Sequence, residues 1–204
     1  MATDIAAIIT NLQYFYEVAD RTVIDVGAGG GQFVEFAARA RHVLAVDPDG
    51  DAVATLRTAL RQKGLEDRFQ VVQSGFSDVS ARADVVFFEF CLHEIADPAA
   101  ALHHALTLAP EVVVADHAPE SQWSWLCGEE DKLVGSWAEV RRLQLVREAR
   151  FQGVQRFRDY AELHARLATA GEPTLQRIEA FRDQTDFSIP MPYRMALAAR
   201  GARI

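Results

Sequence analysis

The chain has 204 residues, half of them hydrophobic, with 29 acidic against 21 basic side chains and a net charge of −8. That length suits one doubly wound domain and hardly two. The acidic balance argues against a nucleic-acid partner, since neutralising phosphates takes a basic surface, and no apolar run approaches the ~20 residues of a membrane helix.

The predicted elements alternate between strand and helix along the chain. Residues 2–19 read as a helical lead-in, with Ile5, Ile8, Ile9, Leu12 and Phe15 spaced for one face. A first strand is expected at 22–26 and a helix from about Gln32 to Arg41. A second strand at 42–46 is followed by a helix from Asp51 to Lys63, which Gly64 stops. Strands three and four are Phe69 to Gln73 and Val85 to Phe90. Asp97-Pro98 starts a helix, N-cap then proline, running to about Ala109, and the fifth strand is Glu111 to Ala115. Near-continuous apolar strands of this kind belong to a parallel sheet covered on both faces. Residues 119–150 read as helical and carry Trp123, Trp125 and Trp137. A helix from Arg158 to Ala170 and strands at Thr174 to Phe181 and Tyr193 to Arg200 complete the chain. No secretory leader is evident, and Cys91 and Cys127 are too few and too far apart for a disulfide framework or a zinc site. A cytoplasmic protein with no membrane partner is expected.

The first strand runs into Asp25-Val26-Gly27-Ala28-Gly29-Gly30-Gly31-Gln32-Phe33. Glycine is needed where φ is positive or where backbone approaches a ligand closely, and N–H groups left free at a helix N-terminus favour negative charge. A nucleotide-like cofactor is therefore expected. The dinucleotide fingerprint G-x-G-x-x-G fails in both registers, since its third glycine falls on Gln32 or on Val34. What fits is Asp25-x-Gly27-x-Gly29-x-Gly31, which resembles motif I of the class I S-adenosylmethionine (SAM)-dependent methyltransferases. The resemblance implies a doubly wound, mostly parallel seven-stranded sheet with an antiparallel last strand beside the fifth, helices on both faces, in a single domain. It places Asp25 near the amino group of the methionine moiety and passes Gly27, Ala28, Gly29 and Gly31 under the cofactor. Asp47, ending the second strand, becomes the ribose acid and Pro48 a neighbour of the adenine; an acid there would equally suit NAD. Asp49 reads as an N-cap. After the third strand the family's adenine-binding acid is replaced by Phe76, which follows Gly75 and has a backbone N–H and an apolar face to offer; Asp78 is the substitute acid.

Following strand four, Phe90-Cys91-Leu92-His93-Glu94-Ile95-Ala96-Asp97-Pro98 resembles the Leu-His-x-Ile/Leu-x-Asp-Pro pattern of small-molecule methyltransferases. The Asn/Asp-Pro-Pro-aromatic tetrad of amino-group methylation of DNA bases or protein glutamine is absent. Phe90 joins the cofactor-binding set. His93 and His117 are the candidate catalytic bases, titrating near working pH; His93 can instead close the loop over the cofactor, and methyl transfer to a thiolate or amine needs only alignment. His93, Glu94, Asp116 and His117 could hold a divalent metal as in catechol-type O-methyltransferases, but their spacing matches no such set and the reading includes no metal. Cys91 is a small apolar filler, His103 and His104 surface or packing residues, and Tyr14 and Tyr16 could reach over the methionine end. Segment 119–150 is the expected lid, its tryptophans either stacking on a planar acceptor or packing helices onto the core. The expected activity is methyl transfer from SAM to a small-molecule O, N, S or C nucleophile, with S-adenosylhomocysteine as product. The alternatives are a non-catalytic SAM-binding subunit, a NAD-dependent oxidoreductase and an aminopropyltransferase.

Overall fold

Alternate residues of the central strands sort onto two apolar faces, and that alternation organises the molecule. A computed structural model describes residues 5–201; the parts of the lead-in and of the expected domain at 1–4 and 202–204 lie outside the described residues. Strands β1 (Thr22–Val26), β2 (His42–Asp47), β3 (Phe69–Gln73), β4 (Val85–Glu89) and β5 (Glu111–His117) pair in parallel in the order β3-β2-β1-β4-β5. Val23, Val43, Val85, Phe87 and Val113 pack on one face, against Leu12 of α1 (Ile5–Phe15) and Leu56 of α3 (Gly50–Lys63). Ile24, Val46, Val86, Phe88 and Val112 pack on the other, against Leu102 of α4 (Pro98–Leu108) and Trp137 of α6 (Glu130–Val140). Every residue of β4 is buried, as expected of a strand covered on both sides.

The expected seven-stranded sheet closes with β9 (Tyr193–Ala199) antiparallel to β5, with Asp116 opposite Arg194 and Val113 opposite Leu197. Its other neighbour is β6 (Leu145–Phe151), the sheet edge, in a stretch read as helix. Arg147, Glu148 and Arg150 put charge along that edge, which discourages pairing with another chain. The expected helix from Arg158 begins as strand β7 (Val154–Asp159) and turns helical only as α7 (Tyr160–Leu167), with Asp159 capping through Glu162 N. The expected strand at 174–181 is helix α8 (Glu172–Ile178), entered through Gly171 at φ +91° and Pro173. The missing strand lies downstream as β8 (Thr185–Pro190), paired with β7 in a separate two-stranded sheet. The lid segment contributes α5 (Gln122–Cys127) and α6 before yielding to β6. Among the described residues no helix is long and apolar enough to cross a membrane.

Caps follow the sequence closely. Asp49 accepts from Asp51 N and Ala52 N, Gly64 ends α3 at φ +64°, and Asp97 accepts from Ala100 N ahead of Pro98. The helix expected at 32–41 is only the single turn α2 (Val34–Ala37). The glycine loop therefore does not abut a long helix, and its ligand-facing character comes from its own backbone and the strand ends.

Candidate functional site

Parallel pairing brings the carboxyl ends of β1, β2, β4 and β5 to one edge, and each end carries an acid: Asp25, Asp47, Glu89 and Asp116. All four are buried. In doubly wound sheets this is the edge where ligands bind. The glycine loop rises from it with Gly27, Gly29 and Gly31 at φ +74°, +51° and +84°. A Cβ on Gly27 would lie 2.4 Å from Cys91 Cβ, and one on Gly31 would lie 2.8 Å from Leu56 Cδ1. Side chains are thus excluded on both grounds, and the backbone is left as the lining. Ala28 is buried beneath, and Gly27 N donates to Val46 O at 2.9 Å, fixing the loop to β2.

Asp47 is aimed by that loop. Its Oδ2 accepts from Gly29 N at 2.8 Å and its Oδ1 from Asp49 N at 2.9 Å. Each oxygen keeps a lone pair, the equipment needed to receive two vicinal hydroxyls. Pro48 follows directly, its carbonyl accepting from Gln73 Nε2. Asp25 has a different fate. Burial pushes its carboxyl up, and it is hydrogen-bonded to Glu89, whose own carboxyl is raised well above the ordinary range by burial and by the Asp25 charge. One proton held between the two carboxyls would relieve both, while Asp25 Oδ1 is buried without a partner. An orphaned carboxylate oxygen beside a glycine cradle fits a cofactor that carries an ammonium group.

Phe76 sits where the adenine acid was sought, but its ring is committed to the core, edge-on to Phe88 at 5.3 Å and to His104 at 5.1 Å. Only the backbone at Gly75 and Phe76 remains to meet a ligand. Asp78 lies in the following helical turn. Phe90 takes φ +51°, a strained value for a non-glycine residue, and stacks on Phe33 at 5.5 Å. Beside it opens a cavity of about 150 Å³ lined by Gln32, Phe33, Phe90, His117, Trp123 and Arg166, among others.

The two candidate histidines divide at this point. His117 lines the cavity, neither of its ring nitrogens is hydrogen-bonded among the described residues, and Nδ1 is buried. Burial lowers its pKa to about 4, against the Asp116 charge, so the ring is neutral. His93 is not part of that lining, although its ring centroid lies 5.9 Å from that of His117. Its Nδ1 donates to Asp116 at 2.8 Å, and Nε2 faces Glu94 Oε1 at 3.4 Å and Glu129 Oε2 at 3.7 Å. Burial opposes charge on His93, but the Asp116 hydrogen bond and the surrounding carboxylates outweigh it and raise its pKa.

Several expectations are redistributed. Tyr16 does not reach the cofactor edge: its hydroxyl donates to Glu111 at 2.5 Å, at the start of β5 and so on the opposite edge of the sheet. Tyr14 is exposed. Of the tryptophans, Trp123 alone lines the cavity, stacked on Phe157. Trp137 is core and donates Nε1 to His117 O, while Trp125 is exposed beneath the Arg177 guanidinium. Cys91 is the expected filler, its thiol donating to Val26 O at 3.1 Å. Glu89, Glu129, Gln155 and Arg166 went unnoticed in the sequence. Glu89 alone carried a local signal, an acid ending an otherwise apolar strand.

A family model described as a methyltransferase domain matches residues 2–173. Comparison with curated proteins finds no significant match. Among solved structures, a candidate methyltransferase from Bacillus halodurans C-125 aligns with TM-score 0.74 at 16% identity, over 96% of this chain and 100% of that one. The magnesium protoporphyrin IX methyltransferase of Synechocystis PCC 6803, solved with bound S-adenosylhomocysteine, aligns with TM-score 0.58 at 12% identity, over 97% and 81%. A SAM-dependent methyltransferase from Aquifex aeolicus gives 0.55 at 15%, over 96% and 90%. These likenesses speak to fold, and the family model, spanning most of the sequence, to kinship. The chain belongs to the methyltransferase-domain family, as a SAM-dependent member.

Proposed function

We propose that this methyltransferase acts on a small, planar acceptor carrying an anionic group, bound in the cavity between the glycine loop and the α5–α7 segments. The cavity carries the reading. At about 150 Å³ it suits a compact molecule and not a polymer, and Phe33, Phe90 and Trp123 form aromatic walls. Arg166 lines it and forms no ion pair among the described residues, which suits a carboxylate on the acceptor. The net charge of −8 supports the exclusion of nucleic acids.

On this reading Asp47 holds the ribose hydroxyls, Asp25 with Glu89 receives the methionine ammonium, and Gly27, Ala28, Gly29 and Gly31 form the floor. Pro48, Gly75 and Phe76 flank the adenine, and Phe90 divides cofactor from acceptor. SAM supplies an electrophilic methyl on a sulfonium. The chain's part is alignment and exclusion of water by the aromatic walls. His117, neutral and unpartnered, accepts a hydrogen bond or a proton from an acceptor hydroxyl. The cytoplasm is the setting that supplies the cofactor, and two free cysteines accord with it.

Calorimetry should give saturable binding of SAM and S-adenosylhomocysteine and none of NADH, with Asp47→Ala weakening SAM about tenfold to hundredfold. A release assay for S-adenosylhomocysteine across aromatic hydroxy- and thiol-carboxylates and their decarboxylated analogues then tests the acceptor. Equal rates for acid and decarboxylated analogue, with no effect of Arg166→Gln on KM, would remove the anionic group from the proposal.

A further inference from the structure

The turn after β4 and the junction between α5 and α6 bring three ligand-type atoms together beside the acceptor cavity. His93 Nε2, a Glu94 carboxylate oxygen and a Glu129 carboxylate oxygen all lie within 4.8 Å of one another. Nε2 stands 3.4 Å from Glu94 Oε1 and 3.7 Å from Glu129 Oε2. Donor atoms around a tetrahedral ion with bonds near 2.1 Å sit about 3.4 Å apart, so only a small inward movement is needed. We propose that His93, Glu94 and Glu129 form a binding site for a divalent transition-metal ion that pins the α5–α6 junction to the turn after β4.

The imidazole is the stronger part of the case. The His93 side chain is 4% exposed, and Nε2 makes no hydrogen bond among the described residues although it points at two carboxylates. Its other nitrogen is fixed: Nδ1 lies 2.8 and 2.9 Å from the two oxygens of Asp116, and Asp116 Oδ2 also accepts from His93 N. A carboxylate on one imidazole nitrogen orients the ring and makes the other a better metal ligand, the arrangement that metal-bound histidines recurrently show. Asp116, 1% exposed and occupied with His93 and His117 N, is a support and not a ligand. Glu94 divides its work. Lys132 Nζ bonds Oε2 at 2.9 Å, leaving Oε1 as the oxygen turned to His93.

The donor set also selects the ion. One nitrogen and two carboxylates suit Zn²⁺, Mn²⁺ or Fe²⁺, whereas Mg²⁺ and Ca²⁺ prefer oxygen throughout. The expected consequence is mechanical. Glu129 precedes α6, whose Trp137 holds the carbonyl of His117, a residue of the cavity wall. An ion here ties that wall to the turn beneath the cofactor edge.

The test uses the full chain, without an affinity tag and dialysed against chelator, titrated with Zn²⁺, Mn²⁺ and Mg²⁺ by calorimetry and followed by thermal melting. Expected are one Zn²⁺ per chain, a preference of at least about a hundredfold over Mg²⁺, and a Tm rise of about 5–10 °C at a hundredfold excess over Kd. Glu129→Gln, and Glu94→Gln with it, should weaken Zn²⁺ at least about tenfold and abolish the Tm rise. Zn²⁺ binding unchanged in the double variant would locate the ion elsewhere and overturn the site. So would the absence of heat and Tm shift with both Zn²⁺ and Mn²⁺, which would leave an ion cluster of His93, Lys132 and carboxylates only.

Discussion

Replacing Glu89 by glutamine tests the shared proton beneath the glycine loop. In the folded chain Glu89 and Asp25 are buried, and both carboxyls are raised, Glu89 well above its ordinary 4.5. In the unfolded chain a glutamate loses its proton near pH 4.3. Between about pH 5 and the folded-state pKa the native chain therefore binds more protons than the unfolded one, so stability falls as pH rises. One retained proton tilts stability by roughly 1 kcal/mol per pH unit over the range in which only the folded chain holds it, hence a loss on the order of a few kcal/mol at most between pH 5.5 and 7.5. That is a large fraction of a typical total of about 5–15 kcal/mol. Glu89→Gln keeps a donor for Asp25 and removes the Glu89 titration while that of Asp25, raised by its own burial, remains, so its stability should decline less steeply over the same window. Urea unfolding at pH 5.5, 6.5 and 7.5, with m checked for constancy, measures both slopes. Parallel slopes for the two proteins would refute the shared proton, because Glu89 would then ionise alike in both states.

Three further outcomes follow from the geometry. Gly27→Ala forces a side chain into φ +74° and onto Cys91, and should cost about 2–4 kcal/mol, seen as a fall in Tm; an unchanged Tm would mean the loop relaxes freely. Tyr16→Phe removes the hydroxyl bonded to Glu111 and should cost about 1–2 kcal/mol while leaving SAM affinity unaltered; a Kd change beyond threefold would return Tyr16 to the site. His117→Ala should lower kcat about a hundredfold or more on a hydroxyl acceptor, with SAM Kd unchanged, and an undiminished kcat would confine His117 to shaping the cavity wall.

What the sequence reveals depends on whether the determining contacts are local. β1 to β5 were readable because each is a short run dominated by apolar, mostly β-branched or aromatic residues with a polar or glycine residue at or just past its end, and the caps at Asp49 and Asp97 are set by residues two or three positions away. β6 was not readable: Leu145–Phe151 is half charge, because a sheet edge solvates one rim, and nothing local distinguishes that from an exposed helix. α8 was misread although its entry was marked by Gly171 and Pro173, a helix-start signal that the β-branched and aromatic residues after it concealed. The overlong second helix has the reverse cause, since the loop that ends at Gly31 runs on through turns to Phe33 and leaves room for one helical turn before Arg41. In the candidate site, Asp25, Gly27, Gly29 and Asp47 were singled out by the resemblance to motif I, and parallel pairing brings them to one sheet edge. Glu89 beside Asp25 and Glu129 beside His93 are contacts across strands and across elements, which a single sequence does not reveal.

The four acids on the carboxyl edge also discriminate between the cofactors that one glycine loop can serve. Each is neutralised differently. Asp47 is satisfied by backbone N–H groups, Asp116 by His93, and Glu89 and Asp25 by sharing a proton, with Asp25 Oδ1 left over. A dinucleotide would bring a doubly charged pyrophosphate to the loop, where an N–H-lined helix terminus is needed and where two buried carboxyls would repel it. Here the following helix is a single turn. SAM brings an α-ammonium and a sulfonium instead, and those charges complement an edge where a carboxylate oxygen, Asp25 Oδ1, is left unsatisfied. The register of the glycines pointed to SAM; the electrostatics of the strand ends give the physical reason. The same logic predicts that S-adenosylhomocysteine, which keeps the ammonium, binds, whereas an analogue lacking that ammonium loses affinity more in the native chain than in Glu89→Gln.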